Sequence, residues 1–296
     1  MKFSENWLRE LVSIDLDSDA LQHRLTMIGL EVEGAEPVGG GLDGVLVARI
    51  VACAKHPEAD RLQVCQVDTG AGQVQIVCGA PNARPGLVAP LAMVGAVLPG
   101  GTAIAVATLR NVESLGMLCS ARELGLDSDA SGLMELPADA PVGTPLAAWL
   151  GLPDTVIELG ITPNRADCFS MQGIALDVAA ACGTRVSQAE RTDVPPEHGD
   201  VLEVVLAAGS DVPRYVGRIV HDVDAMRATP VWMAERLRRS GIRPVSLLVD
   251  ITQYVMIAIG QPMHAFDHDL LRGPIGVRDA RDGERLCLLD GRDVVL

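Results

Sequence analysis

The chain has 296 residues, 48% of them hydrophobic, which is enough to bury two or three cores, while aromatic residues make up only 3% and exclude a broad base-stacking surface. A formal charge of −15 and a pI near 4.7 exclude a nonspecific polyanion binder, because a phosphate backbone is repelled wherever basic side chains are not locally concentrated. Lys2, Glu5 and Arg9 precede any apolar run and no stretch of 18 apolar residues occurs, so neither a secretory leader nor a membrane span is expected and the chain reads as cytoplasmic.

Ser4 is placed to cap a helix whose Trp7, Leu8, Leu11 and Val12 share one face. A second helix starts at Asp17 and Ser18, buries Leu21, Leu25 and Ile28, and stops at Gly29. From about Leu42 the apolar period becomes that of a strand with both faces apolar, and further strands are expected at 62–68, 74–78, 87–91 and 102–107, with a helix at 120–124. Short strands separated by glycine and proline turns fit a small barrel of the oligonucleotide-binding kind, although strand number alone also admits other small barrels. Ile157, Leu159 and Ile161 mark another strand. Asp167 or Ser170 then starts a helix along Met171, Ile174, Val178 and Cys182 that Gly183 ends; packed on the opening helices, it would leave the barrel as an insertion. Residues 187–200, polar and containing Pro195-Pro196, read as a linker. Beyond lie a strand at 201–206 and a helix capped by Thr229, with Pro230 first and Gly241 closing it. Its Glu235 and Arg239 are expected to form an exposed pair, contributing about 0.3 kcal/mol. Leu286, Leu288 and Leu289 precede an Asp290-Gly291 hairpin turn, and the returning strand at 294–296 is unfinished, so a fragment is expected.

Polar segments interrupt this pattern. Residues 55–61 read either as a loop touching phosphate or sugar through Lys55, His56 and Arg61, with Glu58 and Asp60 restraining those bases, or as a solvated turn. Arg110, Asn111, Glu113 and Ser114 form a second polar turn. Cys119 has no histidine partner nearby in sequence and reads as a buried core thiol. The seven cysteines are widely spaced without any C-x-x-C pair, which argues for reduced thiols over a disulfide framework or a structural zinc site. No phosphate loop is present. Residues 250–254 and 260–267 set polar groups among Val249, Val255, Met256, Ile257 and Ile259, read as strands. Buried polar groups need partners, so this region is expected to be a hydrogen-bonded core or a ligand cavity. On the residues alone His264 either polarises a carbonyl, positions water, or donates to a backbone carbonyl. Asp250, His264 and Asp267 lack the spacing of a catalytic metal site, and no metal ligand is assigned.

The order of motifs is more specific: KFSENWLRE at 2–10, GLEVE at 29–33, KHPEADRLQVCQVD at 55–68, IVCGAPN at 76–82, GAVLPG at 95–100 and GMLCSARELG at 116–125. ITPNRADC at 161–168, PRYVGR at 213–218, WMAERLRRSGIRP at 232–244, VDITQYV at 249–255, GQPMHAFD at 260–267 and LLDG at 288–291 complete the series. Through these segments the chain resembles, along essentially its whole length, the amino-terminal part of bacterial phenylalanyl-tRNA synthetase beta subunits. The resemblance implies an α+β multidomain fold: an N-terminal domain at 1–38 plus 152–190, an inserted OB-fold tRNA-binding domain at 39–151, a linker at 191–200 and an incomplete B3/B4-like α/β editing domain at 201–296. It implies a complex of two alpha and two beta subunits that charges tRNA(Phe) with phenylalanine, using ATP and Mg2+ outside this segment, and an editing domain that hydrolyses mischarged tyrosyl-tRNA(Phe). The resemblance places Arg243 at the tRNA terminus and His264 beside the ester or attacking water, with Gln261 as a weaker neighbour. Lys55, His56, Arg61, Arg110 and Asn111 are the tRNA-binding candidates. Two departures stand out: Gln253 replaces the asparagine usual in DITNY, and Asn111 replaces a turn glycine. The competing expectations are a free-standing tRNA-binding module, suggested by the barrel alone, and an assembly scaffold without editing activity.

Overall fold

The computed structural model describes residues 1–126, 130–187, 192–207, 209–288 and 290–296; Leu289 and the first part of the expected linker, 188–191, lie outside them. Two compact units result, Met1–Gln188 with Ala228–Met263, and Ala189–Arg227 with His264–Leu296.

The first unit opens with β1 (Lys2–Ser4) and α1 (Glu5–Leu11). The Ser4 hydroxyl accepts from Trp7 N at 3.1 Å, the expected cap. Asp17 caps α2 (Ser18–Met27), and Gly29 follows at φ 90°, the left-handed geometry that glycine adopts without steric cost. After β2 (Glu31–Val38) the chain departs.

It builds β3 (Val45–His56), β4 (Ala59–Asp68), β5 (Gln73–Cys78), β6 (Val88–Met93), β7 (Ala107–Leu109), β8 (Val112–Ser114) and β9 (Gly116–Leu118). The strands β5-β4-β3-β6-β9 form one sheet, with β7-β8 a separate hairpin; among the described residues no strand pairing closes the sheet into the barrel that the strand pattern suggested. Alternation explains its two cores. Val45 and Val47 of β3 join one cluster with Val88, Leu98 and Leu146, while Ala48 and Ile50 join another with Val67, Ile76 and Leu91. Two expectations fail locally. Within 102–107 only Ala103 makes an isolated bridge, and the strand falls at β7 instead. No helix forms at 120–124: Ser120 N–H and hydroxyl both donate to one Glu123 oxygen at 2.7 Å, closing a single turn that ends at Gly125, φ 65°.

A short α3 (Leu146–Trp149) leads back to β10 (Asp154–Gly160), which pairs antiparallel with both β1 and β2. Ser170 then caps α4 (Met171–Cys182), and Gly183 ends it at φ 65°. Phe3, Trp7, Leu8, Leu21, Leu25 and Ile174 are fully or almost fully buried in the resulting core.

Residues 228–263, expected within the third domain, pack on this same unit. Helix α5 (Val231–Arg239) starts after Pro230, which occupies the capping position itself; Thr229 donates to Asp250 Oδ2 at 2.5 Å instead of capping. Glu235 and Arg239 are buried, correcting the expected exposed pair. Arg239 donates to Asp154 at 2.9 Å and to the Leu150 and Gly151 carbonyls, fixing α5 against the return of the insertion. Helix α6 (Leu247–Ile259) corrects the reading of this segment as strands. Tyr254, Ile257 and Ala258 fall at helical spacing and meet the first core, so packing overrides the low helix propensity of its β-branched residues.

In the second unit β11 (Val204–Leu206) pairs parallel with β12 (Ile275–Val277). Strands β13 (Arg285–Cys287) and β14 (Asp293–Val295) form the expected hairpin, with Gly291 at φ 82°. Among its described residues no apolar side chain is buried.

Candidate functional site

Two hairpin tips, 53 residues apart in sequence, meet in the inserted domain. The polar segment at 55–61 is a tight turn at Pro57-Glu58 between β3 and β4. Arg110 and Asn111 turn β7 into β8 with φ 46° and 63°. Asparagine tolerates that geometry, while arginine enters it at a steric cost.

His56 is buried and joins the tips. Its Nδ1 lies 3.1 Å from the donating Glu58 N–H and its Nε2 lies 3.0 Å from Leu109 O, so Nδ1 accepts and Nε2–H donates, the arrangement of a neutral ring. Asn111 Nδ2 donates to Glu58 Oε2 at 3.0 Å. The Glu58 carboxylate therefore restrains the opposite tip, while of the basic side chains of the segment Glu58 meets His56 alone, through its backbone N–H. Lys55, Arg61, Arg110 and Asn111 are exposed. The tip leaves them available to a ligand, whereas both His56 ring nitrogens are committed within the fold.

Beside the tips runs a groove of about 460 Å³, bordered by Leu62, Pro81, Ile104, Leu109, Ser120 and Glu123. Leu109 thus borders the groove with its residue and holds His56 with its carbonyl. Cys119 is buried, and burial pushes its thiol up to about 12, with Glu123 adding to the shift, so it stays protonated at neutral pH and is no nucleophile.

The remaining candidates divide between the units. Arg243 and Gln261 belong to the first and His264 to the second, and all three are exposed. Gln261 Nε2 donates to Pro262 O at 3.0 Å, while the His264 ring lies 6.1 Å from that of Phe266. Asp250 is buried and accepts from Val245 N–H at 2.9 Å as well as from Thr229, so it pins the segment that carries Arg243. That engagement also removes Asp250 from the metal constellation weighed from sequence.

The family described as "Putative tRNA binding domain" matches residues 45–145, and the family described as "B3/4 domain" matches residues 211–296. A phenylalanine–tRNA ligase beta subunit from Xanthomonas campestris pv. campestris (strain 8004) is 64% identical over 100% of this chain and 37% of its own length. One from Xylella fastidiosa (strain 9a5c) is 62% identical over the same shares, 100% and 37%. Along its whole length the chain matches the amino-terminal part of phenylalanine–tRNA ligase beta subunits. It spans 37% of the length of these relatives. A MetRS-related protein of known structure from Pyrococcus horikoshii overlaps 34% of this chain and 85% of its own at 21% identity and a TM-score of 0.26.

The supports of the candidate residues carry no sequence motif. Leu109 contributes a carbonyl, invisible to any side-chain motif. Asp154 and Arg239 are 85 residues apart, and only the fold brings them together. The Ser120-x-x-Glu123 spacing is a capping signature, here closing one turn with no helix after it. No helix among the described residues is long and apolar enough to cross a membrane.

Proposed function

We propose that this chain supplies tRNA binding and hydrolytic proofreading to a phenylalanine–tRNA ligase, acting with an alpha subunit in an assembly of two alpha and two beta chains. The observation that carries the proposal is similarity along the entire chain to beta subunits, joined to separate tRNA-binding and B3/4 matches. In this reading residues 39–151 form an OB-type barrel, with β7 and β8 near its mouth and Lys55, Arg61 and Arg110 meeting phosphates. Asn111 acts at the same rim, and His56 positions it.

The proofreading substrate is tyrosyl-tRNA(Phe). Water adds to the ester carbonyl, the bond to the ribose oxygen breaks, and tyrosine and uncharged tRNA leave. Arg243 binds the tRNA terminus, His264 orients the ester or the water, and Gln261 is a weaker candidate for the same reaction; positioning of this kind lowers the barrier without a covalent intermediate. ATP and Mg2+ serve the ligation reaction of the whole enzyme, and no residue of this chain is assigned to either.

The test is deacylation of tyrosyl-tRNA(Phe) by the complete ligase. His264→Ala and Arg243→Ala should each slow it at least about tenfold and leave phenylalanine ligation intact. Unchanged deacylation in both variants would remove the assigned roles. Equal loss of both activities, with loss of folded structure, would remove the proofreading role given to these residues.

A further inference from the structure

We propose that His198, Asp200 and His221 form a binding site for one divalent first-row transition-metal ion, with Zn2+ the ion best suited to the donors. Each residue offers one ligand atom, and the three atoms lie within 4.8 Å of one another. Asp200 Oδ2 is 2.7 Å from His221 Nε2 and 3.5 Å from His198 Nδ1, and the two imidazole centroids are 4.3 Å apart.

The hydrogen bonds already gather the three donors. Asp200 N–H donates to His198 Nδ1 at 3.3 Å, so the lone pair of that nitrogen is held by a long backbone contact that a metal ion would replace. The Asp200 carboxylate oxygen lies 3.5 Å from the same nitrogen and accepts from His221. A cation substitutes for both hydrogen-bond donors at once. Four tetrahedral ligands at about 2.0–2.1 Å stand roughly 3.3 Å apart, so half-buried His198 and exposed Asp200 and His221 need only small movements to enclose Zn2+. Binding releases the proton on His221 Nε2 to solvent, and water completes the fourth position. Two imidazoles with one carboxylate favour Zn2+ and its neighbours over Mg2+ or Ca2+, which prefer all-oxygen shells.

The other compact group, Asp167, Cys168 and Asp177, is already occupied by a cation: Arg165 contacts Asp167 at 2.9 Å and Asp177 at 2.5 Å. At the histidine site, by contrast, the metal would join the stretch before β11 to the stretch at 218–221, which Arg218 already ties through Val194 O at 2.8 Å. The site lies in a unit whose described residues bury no apolar side chain, where a metal cross-link has a large share of local stability to supply.

The 296-residue chain should take up one equivalent of Zn2+ in competition with a chromophoric chelator near neutral pH. His198→Ala and His221→Ala should each weaken uptake by about tenfold or more, while His23→Ala, at an exposed histidine outside the cluster, should leave it unchanged. His221→Gln, which keeps a polar side chain, and circular dichroism of the metal-free proteins separate ligand loss from misfolding. Co2+ in place of Zn2+ should show nitrogen and oxygen coordination without a thiolate charge-transfer band. Absence of uptake, uptake that survives loss of both histidines, or a thiolate band would each overturn the proposal.

Discussion

Replacement of Arg239 by alanine should destabilise the first unit by about 3 kcal/mol, the lower end of the cost of breaking a buried ion pair. Asp154 has a side chain 0% exposed and Arg239 one only 8% exposed, so neither charge is solvated when its partner goes. The lower end applies because Asp154 keeps three other donors, the Ser4 hydroxyl and the Asn6 and Thr155 N–H groups. Asp154→Ala should cost more, about 5 kcal/mol, since it removes the acceptor of those three donors and leaves the buried guanidinium with two carbonyls and Glu235 at 3.6 Å. Urea unfolding followed by tryptophan fluorescence is a direct assay: Trp7 stacks on Tyr254 at 5.3 Å and Trp232 meets that ring edge-on at 5.3 Å, so emission reports docking of α5 and α6 on α1. The double variant should lose less than the sum of the single losses, because the two changes remove one shared contact. Arg239→Ala within about 0.5 kcal/mol of the parent, or strictly additive losses, would refute the buried pair as the anchor of α5. In the whole ligase the same substitution should also slow proofreading, since α5 leads within four residues to Arg243.

The other expectations concern the hairpin tips, the thiols and pH. His56→Ala should cost about 2 kcal/mol in urea unfolding and weaken tRNA binding through displaced tips, because it removes two partly buried hydrogen bonds. Lys55→Ala should leave stability within about 0.5 kcal/mol and lower the salt dependence of binding by roughly one phosphate contact; a stability loss equal to that of His56→Ala would contradict the assigned division of labour. At mildly alkaline pH a thiol reagent should modify exposed Cys287 first and reach Cys119 and Cys168, both raised to about 12 chiefly by burial, only on unfolding. Glu135, held by Arg84 and Asn82, should titrate at about 2 instead of 4.5 in an NMR pH series. Its contribution to stability is complete above about 4.5 and is lost as pH falls towards 2, a window that Glu135→Gln should abolish.

Local signals were legible wherever chemistry and chain direction coincide. Ser4, Asp17 and Ser170 cap the helices they were expected to cap, and Gly183 ends α4, because a cap depends on contacts within a few residues. The double-sided apolar pattern of β3 was legible for the same reason. Helix α6 was not, since Val249, Ile251, Val255 and Ile257 carry strand propensity and only the surface beneath Tyr254, Ile257 and Ala258 favours the helix. Glu235 and Arg239 show the same limit from the other side. Spacing identifies them as partners, but burial against Asp154 decides that they matter.

Insertion explains why the candidate site was the least legible part. The chain leaves after β2 and returns at β10, so the groups that position function come from distant segments: Glu58 with Asn111, His56 with Leu109, Asp154 with Arg239. In each pair one member is an ordinary turn residue, a backbone carbonyl or a helix-surface charge, none of which carries a sequence signature. The motifs that mark the family therefore identify the exposed residues offered to a ligand more readily than the buried ones that hold them. A conservative change at an anchor should accordingly disturb function as much as loss of an exposed contact. Asp250→Asn is the sharpest case, because it keeps the size of a side chain that never meets a substrate and weakens its hold on the Val245 N–H and the Thr229 hydroxyl. In the complete ligase it should lower proofreading with Arg243 untouched, and added Arg243→Ala should then cost little more; full additivity would show that Asp250 does not act through that arginine.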